Sequence, residues 1–184
     1  MNNIEKMNIP IAYKNQIKDF YDYLMNNYKD NMLLFTLSGS TVFENIIEGI
    51  SDIDFILVLK TCTPKIYEDI YTYKNSFEIK IGGLIIVEQE LINKQIDYVS
   101  MYYLYLINIG YINPIYISEN YKNDITKDDM LLSIKNVLIL NVRTLKKIIY
   151  SRKSQDSKYI LKNIVFVAKD YLILLDIYCK SLNE

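Results

Sequence analysis

Between Leu33 and Lys60 the chain reads LLFTLSGSTVFENIIEGISDIDFILVLK: an apolar run that closes on Ser38-Gly39-Ser40, then a second apolar run that opens on Asp52-Ile53-Asp54. Eleven residues separate Ser40 from Asp52. Successive side chains on a strand point to opposite faces, so Asp52, Asp54, Ile56 and Val58 share one face while Ile53, Phe55, Leu57 and Leu59 share the other. The second run therefore has to be a strand built for burial that carries two acids on one face at its start. Carboxylates about 7 Å apart along a strand repel each other and raise each other's pKa unless a cation lies between them. Mg²⁺ suits such a place, because it takes oxygen ligands, keeps several waters, and is held by one or two carboxylates together with phosphates. Gly39 lets backbone approach a phosphate closely, and Ser40 adds a hydroxyl where a helix is predicted to start, with N–H groups aimed at an anion. The stretch predicts a metal site beside a phosphate cradle. The alternative is a tight turn at Gly39 with two surface aspartates, which gives no reason for both acids to share one face of an apolar strand.

Composition narrows the chemistry further. There is no histidine in the 184 residues, which excludes Ser-His-Asp and Cys-His catalysis and any His-ligated metal. Cys62 and Cys179 are too far apart for a zinc-ligand spacing and too few for a disulfide framework. Catalysis is left to carboxylates, lysine, arginine, hydroxyls and a hard metal. A hydrophobic fraction of 51% supports a real core, in one domain or two small ones. The net charge of −1 gives no electrostatic reason to expect a nucleic-acid partner. The chain opens without a charged-then-apolar leader pattern and has no run of eighteen uncharged apolar residues, so a cytoplasmic protein with no membrane partner is expected.

Ile17, Phe20, Tyr21, Leu24, Met25 and Tyr28 recur at helical spacing and predict an amphipathic helix beginning near Pro10. Residues 32–37 follow as a strand, Val42, Phe43, Ile46 and Ile47 as a short helix ended by Gly49, and Asp52 to Leu59 as the second strand. Thr63-Pro64 supplies an N-cap and a proline at the first helical position. Residues 76–87 alternate as a third strand, with Glu78 and Lys80 opposite Phe77, Ile79 and Ile81, and with a bulge or turn at Gly82-Gly83. Beyond Glu90 the period becomes helical. Thr126 and Asp129 form a capping pair for a long helix to about Tyr150, and a last helix is expected from Ser157 to about Lys180. These elements predict an α/β (α+β) domain with a small mixed sheet over residues 1–95, then an all-α helical bundle over 96–184.

Gly39-Ser40, the eleven-residue spacer and Asp52-Ile53-Asp54-Phe55, set between two strand-like runs, resemble the signature of the nucleotidyltransferase superfamily that includes DNA polymerase beta and the antibiotic adenylyltransferases. Within it, three further features are similar to the spectinomycin and streptomycin type of aminoglycoside adenylyltransferase. The segment Phe77-Glu78-Ile79-Lys80-Ile81 resembles the strand that carries a third acid, which implies Glu78 as the catalytic base. Asn136-Val137, with Arg143 seven residues after Asn136, resembles a helix that carries a nucleotide-binding arginine. Ser157-Lys158 resembles a serine-lysine element whose lysine reaches the triphosphate.

The resemblance implies Mg²⁺ on Asp52 and Asp54, ATP as co-substrate contacted by Gly39, Ser40, Arg143 and Lys158, and transfer of AMP to a hydroxyl of a small molecule such as an aminoglycoside-type antibiotic. Two alternatives stay open: an antitoxin-type enzyme that adenylylates a partner protein, and a degenerate nucleotide-binding module. Residues 1–95 carry 9 basic and 13 acidic side chains, and residues 96–184 carry 12 and 9, a division that suits a triphosphate with its metal or is chance variation of a solvated surface. Glu78 pairing with Lys80 or Lys60, and Arg143 and Lys158 as solvated helix charges, are the plain readings of those residues. The chain has no tryptophan, the residue expected at the drug site of that family, and its basic second half disfavours a polycation.

Overall fold

The computed structural model describes residues 2–92 and 98–150, and between 160 and 175 residues 160, 161, 163–165, 167, 168, 171, 172 and 175. The chain forms two compact units, Met1–Asp124 and Ile125–Glu184.

The first unit is built on a four-stranded mixed sheet of β1 (Met32–Ser38), β2 (Ile53–Leu59), β3 (Ile81–Glu88) and β4 (Tyr116–Ile117), in the order β3-β2-β1-β4. β1 runs antiparallel to β2 and β4, whereas β2 and β3 are parallel. Parallel neighbours need a crossover, and α4 (Pro64–Lys74) supplies it. Its start follows from the sequence: the Ile66 N–H donates to Thr63 Oγ1 at 3.3 Å, and Pro64 occupies the first turn.

One face of the sheet is covered by α2 (Ile11–Tyr28), which follows the short α1 (Asn2–Lys6). The predicted stripe is present, with Ile17, Phe20 and Leu24 fully buried. Phe20 stands between Phe55 and Phe35, at ring-centroid distances of 5.0 and 5.9 Å. Phe35, Leu37, Ile53, Phe55, Leu57 and Leu59 join α2 in one core, so Ile53 and its alternate neighbours face inward and Asp52 and Asp54 face the other way. Burial along β2 is nevertheless nearly continuous, which marks a strand covered on both faces.

Two predicted boundaries differ. The helix expected over Val42 to Ile47 stops after one turn as α3 (Gly39–Val42). The Glu44 and Asn45 N–H groups bond back to Thr41 and Ser40, Glu44 turns left-handed at φ 58°, and Ile47 is left 61% exposed. The third strand begins at Ile81 rather than residue 76, which puts Glu78 in a bend instead of on a strand face. The cause is Gln16, 6% exposed on α2: its Nε2 donates to the Ile79 carbonyl at 2.5 Å and its Oε1 accepts from the Ile79 N–H at 3.0 Å, taking both backbone groups a strand partner would use. After β3 come α5 (Gln89–Ile92) and α6 (Tyr98–Asn108).

The first unit reaches Asp124, whereas periodicity placed the change of architecture at 95. Residues 98–124 are stitched to the sheet side: the Ser118 N–H donates to the Leu33 carbonyl at 2.8 Å, and β4 pairs with β1. In the second unit, α7 (Lys127–Tyr150) opens with the predicted cap. The Thr126 N–H and hydroxyl donate to Asp129 Oδ2 at 2.9 and 2.7 Å, and the Asp129 N–H donates back to Thr126 Oγ1 at 3.2 Å. Met130, Ser133 and Ile134 are its buried residues. The described positions from 160 to 175 are helical. No described helix is long and apolar enough to cross a membrane.

Candidate active site

The register between β2 and β3 slips at one place. Ile53 pairs with Ile81, but Phe55 pairs with Leu84, so Asp54 alone on β2 faces Gly82 and Gly83 on β3. Two residues against one is a β-bulge, a device that re-aims groups at the end of a strand. Here it aims a backbone donor at a carboxylate: the Gly83 N–H donates to Asp54 Oδ1 at 2.5 Å. On the other side of β2, Asp54 pairs with Ser38 of β1, and Gly39 follows at φ +63°.

The three glycines are required by the two acids. A Cβ added at Gly82 would run into Asp52 Oδ2, one at Gly39 would run into Asp54 Oδ2, and one at Gly83 would stand 2.8 Å from Asp54 Oδ1. The Asp54 carboxylate is thus wedged between Gly39 and Gly83, and that of Asp52 lies over Gly82. Both aspartates are half-buried, on either side of the fully buried Ile53. The segment entering Asp52 is also tied down. The Tyr13 hydroxyl donates to the Ser51 carbonyl at 2.8 Å, the buried Thr41 hydroxyl to the Asp52 carbonyl at 3.4 Å, and the Ile53 N–H to the Lys80 carbonyl at 3.0 Å.

This donor set fits Mg²⁺. It offers two hard carboxylates on one face of one strand, held in place by backbone. No group of three or more acidic or cysteine side chains with metal-binding geometry occurs among the described residues, so further ligands would be water and phosphate oxygens, the usual complement for this ion.

The remaining predicted residues fall as follows. Gly39 lies against Asp54, directly after β1, and Ser40 follows it in α3. The Gly39 N–H is engaged by the phenol oxygen of Tyr103 on α6 at 3.0 Å. Glu78 is exposed, three residues before the Ile81 partner of Ile53, and so at the same end of the sheet as Asp52. Arg143 is exposed on α7, in the second unit, and Lys158 lies outside the described residues. Glu88 pairs with Leu59 at the far end of the strands, about 17 Å along from Asp54 at 3.3–3.4 Å per residue, and accepts the Cys62 N–H at 2.5 Å. Burial, and then the Glu88 carboxylate, push the Cys62 thiol above its usual range.

Sequence reasoning left a bulge or a turn open at Gly82-Gly83, did not foresee the service of the bulge to the acids, and missed Tyr103. The available signal was the pair of glycines inside a strand otherwise rich in isoleucine and valine.

Gly82 gives a direct test, because it is exposed and lacks a left-handed φ, so its backbone accepts alanine. Gly82→Ala should leave the fold standing yet displace the Asp52 carboxylate. Groups that orient metal ligands typically control 10–100-fold of affinity, so Mn²⁺ affinity, read by electron paramagnetic resonance, is expected to fall by about tenfold or more. Unchanged Mn²⁺ affinity would show that Asp52 is no ligand.

No family model and no curated protein matches the sequence. Among solved structures the fold is similar to spectinomycin adenyltransferase AAD(9) from Enterococcus faecialis, determined with ATP and spectinomycin, at a TM-score of 0.51 and 16% sequence identity, over 84% of this chain and 88% of that one. The sheet, the crossover and the acid pair at the start of β2 therefore belong to a chain with the fold of that adenyltransferase.

Proposed function

We propose that this chain is a Mg²⁺-dependent nucleotidyltransferase that moves AMP from ATP to a hydroxyl of a small molecule. The observation that carries the reading is the fixed pair of carboxylates, Asp52 and Asp54, enclosed by Gly39, Gly82 and Gly83. A strand end shaped only for stability would not spend three glycines on two like charges. The fold it shares with a structure that holds ATP and spectinomycin supports both the nucleotide and a small-molecule acceptor.

Asp52 and Asp54 hold the metal, with Asp54 oriented by the Gly83 amide. Mg²⁺ held there would supply positive charge to offset the negative charge of the phosphates and of the leaving group. Gly39 and Ser40 receive the terminal phosphates. The acceptor oxygen attacks the α-phosphorus, the bond from that phosphorus to the bridging oxygen breaks, and pyrophosphate departs. Glu78, exposed at the same sheet end, takes the proton of the attacking hydroxyl; Glu88, at the far end and bonded to Cys62, does not serve.

A protein acceptor is the second reading. Leu140, Leu161 and Leu172 of the second unit are each about 60% exposed (59%, 60% and 61%), and apolar surface of this kind suits a partner protein. Incubation with Mg²⁺ and ATP labelled at the α-phosphate separates the readings: label on an added aminoglycoside-type compound supports the first, and label on a protein supports the second.

A further inference from the structure

We infer that Tyr103 competes with the terminal phosphates of the nucleotide for the Gly39 amide and so lowers the affinity for ATP and pyrophosphate without touching that for AMP. The inference rests on the proposed role of Gly39 in holding those phosphates. Tyr103 is carried on α6, is 8% exposed, and brings its phenol oxygen to 3.0 Å from the Gly39 nitrogen. A backbone amide has one proton to give. A phosphate oxygen and a phenol cannot both hold it in good geometry.

Gly39 cannot turn away to serve the two in succession. Its φ of +63° places it in the left-handed region, and the Asp54 carboxylate fills the space that a Cβ would take. The phenol is the partner that yields, by rotation of its own side chain. The exchange runs in favour of the nucleotide, because a hydrogen bond to a charged oxygen is about twice as strong as one between neutral groups. It runs back as pyrophosphate leaves, because the returning phenol spares the amide from being stranded unsatisfied. Tyr103 thereby eases product release at a modest expense in triphosphate affinity. A tyrosine that only packs α6 against the sheet would behave in the opposite way, since trimming it would loosen the site.

The test is Tyr103→Phe in the full chain, which keeps the ring and removes the competing oxygen. Calorimetric titrations with pyrophosphate, ATP and AMP, each with Mg²⁺, are expected to show pyrophosphate and ATP binding about two- to tenfold tighter, the equivalent of one net hydrogen bond, and AMP unchanged. The Gly39 amide resonance should also move in the nucleotide-free variant. Pyrophosphate and ATP binding that is unchanged or weaker than in the wild type overturns the inference while leaving the nucleotide reading intact. Failure of the wild type to bind any of the three overturns both.

Discussion

Asp54→Asn is expected to lower nucleotidyl transfer by at least about a hundredfold, since the metal's stabilisation of transition-state charge amounts to several kcal/mol and each 1.36 kcal/mol is a factor of ten. The substitution is clean. Asparagine has the same shape and keeps an oxygen to accept the Gly83 N–H, now made to Asp54 Oδ1 at 2.5 Å, so the bulge and the strand register should survive. What disappears is the charge. Mg²⁺-dependent ATP binding should weaken together with turnover. Wild-type ATP affinity in the variant, measured by calorimetry at fixed Mg²⁺, would remove Asp54 from the metal.

Glu78→Gln should separate the two functions that Asp54→Asn damages together. A positioned general base typically contributes about 10² to 10⁴ in rate, so transfer should fall by that range while ATP still binds with Mg²⁺. Glu78 lies in an exposed bend whose neighbour Ile79 is gripped by Gln16, which gives the side chain a fixed root and open access to an acceptor. Loss of ATP binding alongside transfer would make Glu78 a nucleotide contact instead. Full activity would send the role of base to another group.

The parts of this fold that were legible in the sequence are those written in local chemistry. Thr63-Pro64 specified a helix start, Thr126 and Asp129 a reciprocal cap, and the spacing of Ile17, Phe20 and Leu24 a buried helix face, and each of these is decided within a turn or two of chain. The acid pair was legible for the same reason, because alternation alone puts Asp52 and Asp54 together. What escaped depends on long-range partners. Glu78 alternates with apolar neighbours as a strand residue should, yet Gln16, sixty-three positions from Ile79, claims the backbone that a strand would need. The glycine pair announced a bulge or a turn, but only the parallel register of β2 and β3 shows that it is a bulge and that it encloses carboxylates. Tyr103 is one of 18 tyrosines. Nothing in its sequence neighbourhood marks it as the one that meets Gly39, sixty-four residues away. Residues 98–124 read as the start of a helical domain because their period is helical, whereas hydrogen bonds to the sheet side assign them to the first unit.

The most direct measurement is the fate of ATP labelled at its α-phosphate, incubated with the full chain and an aminoglycoside-type acceptor, with Mg²⁺ or with EDTA in its place. A metal-dependent nucleotidyltransferase acting through Asp52 and Asp54 transfers the label to the acceptor and releases one unlabelled pyrophosphate for each transfer, and does neither in EDTA. Transfer that persists undiminished in EDTA would contradict the role of the carboxylate pair, and release of labelled ADP in place of pyrophosphate would contradict nucleotidyl transfer itself.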